Sequence, residues 1–153
     1  MTALGSDRLE VRLAGPADMP AVFALRREVF VVEQDVPEDL ELDELDETAD
    51  HAVAVLDGRV VGTGRLLSAT GGQAVVGRMA VAREARGAGT GAAVLAALEQ
   101  RARERGADAV ELHAQVHARG FYERLGYEAF GALYLDAGIE HVDMRKQLPA
   151  PGR

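Results

Sequence analysis

The chain has 153 residues, 48% of them hydrophobic and 27% charged, with a net charge of −8 and no cysteine. That length makes one domain with room for a real core, and the missing cysteine excludes disulfides, thiolate metal sites and a cysteine nucleophile. No apolar run approaches the roughly 20 residues of a membrane span, and Met1 to Arg12 lacks a signal-peptide core, which together fit a cytoplasmic protein.

Leu9, Val11 and Leu13 alternate with Glu10 and Arg12, the pattern of a half-buried first strand. Gly15-Pro16 opens a helix, with Asp18 in its first turn and Met19, Val22, Phe23, Val29 and Phe30 on one face. Val29 to Gln34 either ends that helix or becomes extended. Ten of the 25 acidic residues then fall between Glu33 and Asp50, with no Lys or Arg among them. The acidity is therefore local, and nothing in the chain forms the dense basic patch that would attract nucleic acid. Leu40, Leu42 and Leu45 interrupt these charges, so the segment reads as an ordered loop or short helix. It is either a solvated charged loop or a lip that gathers cationic substrates.

His51 to Leu56 is a strand, Asp57-Gly58 a tight hairpin turn, and Arg59 to Leu67 the returning strand. Gly62 and Gly64 within it mark a bulge or a close backbone approach. Gly71-Gly72 turns into the strand Ala74 to Val81. A helix follows from Ala92 to Arg105, with Val94, Leu95, Leu98 and Ala102 on one face. Ala109 to Gln115 is a strand, Ala118 to Leu125 a short helix, and Tyr127 to Leu135 a strand. Asp136-Ala137-Gly138 turns into the last strand, Ile139 to Gln147, and the tail from Pro149 is frayed. A run of hairpins thus meets one β-α-β unit in a mixed, mainly antiparallel α/β sheet flanked by helices, in a single domain over 1–153.

The stretch Arg86-Gly87-Ala88-Gly89-Thr90-Gly91 lies where a strand passes into a helix. Alternating glycines let a backbone turn tightly and converge its N–H groups, and the helix adds unpaired first-turn N–H groups and its positive dipole end. The result is an anion site, most often for a phosphate. A Walker A loop would need a Lys-Ser/Thr pair that Thr90-Gly91-Ala92 lacks. A dinucleotide fingerprint fits Gly87, Gly89 and Ala92 by spacing, but five residues separate Val81 from its first glycine, and such a fingerprint normally opens a domain.

The third pattern, R-x-x-G-x-G at Arg86, Gly89 and Gly91, resembles the acetyl-CoA loop of the GNAT superfamily of N-acetyltransferases. Phe121-Tyr122-Glu123-Arg124-Leu125-Gly126-Tyr127 resembles that family's F-Y-x-x-x-G-F/Y segment. Arg27 to Gln34 and Leu112 to Gln115 are similar to its ElaA-like subgroup. The resemblance spans about Leu9 to Leu148 and implies the GNAT fold. It also implies direct acetyl transfer from acetyl-CoA, as cosubstrate and without a metal, to an amine in a ternary complex.

On this resemblance, backbone groups of Arg86, Gly87, Ala88, Gly89, Thr90 and Gly91 hold the pyrophosphate. The strands Ala74–Val81 and Ala109–Gln115 splay, so that Met79 and Val81 pair with pantetheine and an N–H of Met79, Ala80 or Val81 faces the thioester carbonyl. Gln115 and Tyr122 border the cofactor, and Tyr122 protonates the departing thiolate. Glu33 and His113 are expected to line the acceptor site as catalytic residues. Glu111, His113 and Gln115 share one strand face, and His141 and Asp143 another. A neutral imidazole can accept a proton near pH 7, so His113 or His141 could act as base. The acceptor is an amine, a cationic one if the acidic segment faces it. Dimers are common in the family, which leaves a homodimer open. Two other functions stay open: a non-catalytic acyl-CoA sensor on the same fold, and a nicotinamide-binding oxidoreductase.

Overall fold

The computed structural model describes residues 9–37, 43–68 and 72–149. Leu40 and Leu42 of the acidic segment, Gly71 and the tail beyond Pro149 lie outside them. Strand β1 (Leu9–Leu13) leads through a short turn into helix α1 (Met19–Arg26), which continues as a π-helical segment, Arg27–Glu33. Strands β2 (Asp50–Leu56), β3 (Arg59–Ser68) and β4 (Gln73–Val81) follow as a meander. Helix α2 (Thr90–Glu104), strand β5 (Ala109–Gln115), helix α3 (Arg119–Arg124) and strands β6 (Glu128–Asp136) and β7 (Ile139–Gln147) complete the chain. Among the described residues, no helix is long and apolar enough to cross a membrane.

The seven strands form one sheet in the order β1-β2-β3-β4-β5-β7-β6, antiparallel except for β4 and β5. The apolar face of α2 is the expected one: Val94, Leu95, Leu98 and Ala102 are buried. Helix α1 buries Val22 and Leu25 on the other side, with Val29 of the π-helical segment.

Gly62 and Gly64 serve both expected purposes. The β3–β4 register slips between Thr63 and Arg65, and α2 packs against the bare backbone. A Cβ at Gly62 would stand 2.8 Å from Thr90 Cγ2, and one at Gly64 only 2.6 Å from Met79 Sδ and 2.7 Å from Leu98 Cδ1. This close seat sets the height at which the start of α2 meets the end of β4. The compensating bulge in β4 holds Arg78 at φ 52°, a left-handed conformation that a non-glycine residue adopts at a cost.

The parallel β4–β5 register runs only from Gln73–Ala109 to Val76–Leu112. Beyond it β4 stays paired to β3 up to Val81, and β5 stays paired to β7 up to Gln115. The two central strands therefore diverge, and their inner edges open towards the loop before α2. Gly87, Gly89 and Ala92 belong to a β-α-β unit inside a mainly antiparallel sheet. The dinucleotide reading needs a doubly wound parallel sheet, so the nicotinamide alternative does not fit the fold.

Three acids of the charged segment, Asp43, Asp46 and Asp50, are engaged internally. Asp43 caps a short 3-10 turn, Glu44–Glu47, and its carboxylate meets Arg65 at 2.7 Å and Arg78 at 3.3 Å. Asp46 accepts from Arg26 at 2.8 Å and from Arg65 at 2.9 Å. Asp50 binds Arg101 and Arg105. For these three residues the arrangement is structural: each carboxylate is paired with two guanidinium groups, which offsets the negative charge that a substrate lip would present.

Candidate active site

The divergence of β4 and β5 opens a cleft of about 800 Å³, within the usual range for a ligand site. Of the residues assigned to the cofactor, Met79, Ala80, Val81, Arg86, Gly87, Gly89, Thr90, Gly91, Gln115 and Tyr122 line it, and Ala88 does not; Glu33 and His113 line it too. Ala82 donates its N–H to Val61 at 2.8 Å. The alternation of an antiparallel edge therefore turns the N–H and C=O of Val81, and of Met79 two residues earlier, towards the splay.

Gly87 and Gly89 sit at φ 80° and 82°, with nothing within 4 Å of a Cβ built on either. The left-handed pair curls the loop and leaves the space before α2 open. Helix α2 begins at Thr90, two residues earlier than its pattern suggested, because Gly89 O already accepts the Ala93 N–H at 3.0 Å; the buried Thr90 hydroxyl donates to Ala85 O at 3.1 Å. The unpaired N–H groups of the first helical turn thus face the cleft end.

The side chain of Arg86 is already occupied. Its Nε donates to Val81 O at 2.9 Å, and its guanidinium meets Glu33 at 2.7 Å. The Val81 carbonyl thus already accepts one hydrogen bond, and its N–H is that residue's donor for a ligand. Arg86, and then Arg83, hold Glu33 below the ordinary carboxylate range. A carboxylate so paired is a weak proton acceptor. Gln115 donates to Gln34 at 2.8 Å, so Glu33 and Gln34 tie the π-helical segment to both walls. Single π turns are frequent at functional sites.

Tyr122 packs edge-on against Phe121 and Tyr127. It is 9% exposed, and its hydroxyl has no hydrogen-bond partner among the described residues. Burial pushes the phenol up to about 12, so it is a neutral donor at any physiological pH. Tyr127 differs: its hydroxyl donates to Glu99 at 2.8 Å, and Lys146 closes on the same carboxylate. The second aromatic of that motif is an anchor.

The expected faces of β5 and β7 merge, since His113 pairs with Asp143 and Gln115 with His141. His113 Nδ1 lies 2.6 Å from Asp143 Oδ1. Tyr134 of β6 donates to the same oxygen at 2.6 Å. Burial pushes the Asp143 carboxyl up, and these two hydrogen bonds more than reverse it, so it lies below its ordinary value. His141, also on the cleft wall, has Nδ1 2.7 Å from Ile139 O and stacks on Tyr134.

Sequence reasoning missed Arg65, Arg78 and Asp136, which line the cleft, and Tyr134 behind it. An arginine inside the apolar alternation of β3 was a usable signal for Arg65. Tyr134 could have been found by counting back across the Asp136–Gly138 turn to His141.

The family model described as acetyltransferase (GNAT) domain matches residues 14–148. The chain is 39% identical over 125 residues to the uncharacterised N-acetyltransferase YjcF of Bacillus subtilis, spanning 81% of this chain and 89% of that protein. It superposes on an acyl-CoA N-acyltransferase from Pseudomonas aeruginosa with a TM-score of 0.80 and 36% identity, covering 91% of this chain and 99% of that one. Escherichia coli ElaA gives a TM-score of 0.80 at 25% identity, with the same coverage.

Proposed function

This chain belongs to the GNAT acetyltransferase family, and from that premise we propose that it transfers the acetyl group of acetyl-CoA directly to a primary amine within a ternary complex. The observation that carries the reading is the parting of β4 from β5 beyond Val76–Leu112, in front of the loop Arg86–Gly91. It offers an extended chain an unpaired strand edge and its terminal phosphates a nest of N–H groups, in one continuous cleft.

Acetyl-CoA supplies the activated acyl group as a thioester. The N–H of Val81 and the backbone groups of Met79 hold the pantetheine arm, and N–H groups of the loop through Gly91 hold the pyrophosphate. A backbone N–H of the Met79–Val81 stretch stabilises charge on the carbonyl oxygen. His113 accepts a proton from the acceptor ammonium, and Tyr122 donates one to the sulfur. The N–C bond forms as the C–S bond breaks. Of the three ammonium protons, one stays on the amide, one ends on the thiol, and one leaves to solvent. Glu33 is assigned the anionic wall that orients Arg86, since its pairing makes it a poorer base than His113.

Thermal unfolding with acetyl-CoA, CoA or NADH tests the cofactor assignment. A ligand at about 100 times its dissociation constant adds about 2.7 kcal/mol, worth roughly 5–10 °C for a domain of this size. The expected result is a rise with acetyl-CoA and CoA and none with NADH. A rise with NADH alone, or with none of the three, overturns it.

A further inference from the structure

On the face of the sheet that α1 leaves open, β5, β7 and β6 bring together His113, Asp143 and Tyr134, one from each strand. An ionised carboxylate only accepts hydrogen bonds. Asp143 Oδ1 receives the Tyr134 hydroxyl at 2.6 Å, and His113 Nδ1 stands at the same distance. The proton on that bond therefore belongs to Nδ1. The 3.2 Å approach of the Tyr134 hydroxyl to Nδ1 follows from the two donors sharing one oxygen. His113 borders the cleft, whereas Asp143 and Tyr134 stand behind it. Glu111 lies within 4.8 Å of the pair, and Arg145 approaches its carboxylate at 3.6 Å.

We propose that Asp143, held by Tyr134, is a positioning residue that fixes His113 as the Nδ1–H tautomer. Nε2, which has no partner among the described residues, is then the proton acceptor on the cleft wall. The inference rests on the acetyl-transfer reading for its purpose, but the tautomer itself does not. With the tautomer fixed, no time-averaged fraction of the imidazole presents an N–H to the incoming ammonium. Tyr134 keeps Asp143 from rotating away.

Two measurements test it. The first is the imidazole ¹⁵N spectrum of the full chain without ligand. The proposal expects His113 as Nδ1–H, and a mixture of tautomers in Asp143→Asn. A wild-type Nε2–H tautomer overturns it. The second is turnover with the best substrate of a primary-amine panel. Asp143→Asn is expected to lower kcat about ten- to hundredfold, with KM for acetyl-CoA and the acetyl-CoA thermal shift unchanged. Tyr134→Phe should lower kcat about two- to fivefold. Glu111→Gln removes charge from the cluster without touching the Nδ1 bond and should change kcat less than about twofold.

If His113→Gln lowers kcat and Asp143→Asn does not, the positioning role fails and the acetyl-transfer reading survives. If His113→Gln changes nothing, the assignment of His113 as base fails, and the catalytic purpose of the cluster with it.

Discussion

Replacing Tyr122 by phenylalanine is expected to lower kcat by one to two orders of magnitude, with acetyl-CoA affinity within about a factor of two of the parent. A positioned general acid contributes roughly 10²- to 10⁴-fold, and a thiolate is a good enough leaving group to keep the loss near the lower bound. The substitution removes only a hydroxyl with no hydrogen-bond partner among the described residues. It leaves the ring packed against Phe121 and Tyr127. No hydrogen bond is lost, so the melting temperature should hold or rise slightly. Because burial holds the phenol at about 12, the parent's pH–rate profile should show no limb from Tyr122 below about pH 11. Steady-state kinetics with acetyl-CoA varied at saturating amine check both points, and unchanged kcat would remove Tyr122 from the chemistry.

Asp46→Asn is expected to cost about 3 kcal/mol of stability. Asp46 is 7% exposed at its side chain and faces Arg26, which is 1% exposed. Taking one partner from a buried ion pair typically costs about 3–5 kcal/mol; here Arg65 keeps Asp43, which favours the lower end. At roughly 2–4 °C per kcal/mol the melting temperature should fall by about 10 °C.

Burial pushes the Asp46 carboxyl up, and the guanidinium groups of Arg26 and Arg65 more than reverse it, to about 2. Its folded value is thus depressed. The stabilisation is full above the ordinary carboxylate range and is lost as the pH falls towards about 2. Urea unfolding from pH 7 down to pH 2 should show the gap between parent and variant narrowing as the pH falls through that window. A gap below about 1 kcal/mol at neutral pH would mean that the network is not holding the segment down.

The parts of the site carried by local chemistry were legible in the sequence. The glycines at 87, 89 and 91 and the aromatic pair at 121–122 lie within short windows, and the hairpin turns fixed the strand order around them. Alternation alone put Glu111, His113 and Gln115 on one face, and His141 and Asp143 on another. Their meeting needed the β5–β7 register, which no local pattern specifies. Counting back across the Asp136–Gly138 turn places Tyr134 opposite His141, but its reach to Asp143 involves the register shift between Phe130 and Tyr134, which no local pattern announces.

Asp43 and Asp46 read as part of a solvated loop or a substrate lip because their partners Arg26, Arg65 and Arg78 lie 19 to 35 residues away in the chain, and only the fold brings them in. The apolar run Val29-Phe30-Val31-Val32 suits a strand as well as a helix by composition. Helical hydrogen bonding carries on through Glu33, and the segment closes at left-handed Asp35 (φ 64°), with Asp35 N–H donating to Val31 O and Val36 N–H to Phe30 O.

Acetyl transfer to an amine is the central step. The most direct measurement is thiol release from acetyl-CoA in the presence of a panel of primary amines, with the acetylated amine quantified by mass. The expected result is thiol and acetylated amine in equal amounts for at least one amine, with release at background when amine is left out. Tight acetyl-CoA binding without amine-dependent thiol release across the panel would contradict it and leave an acyl-CoA-binding module on the same fold.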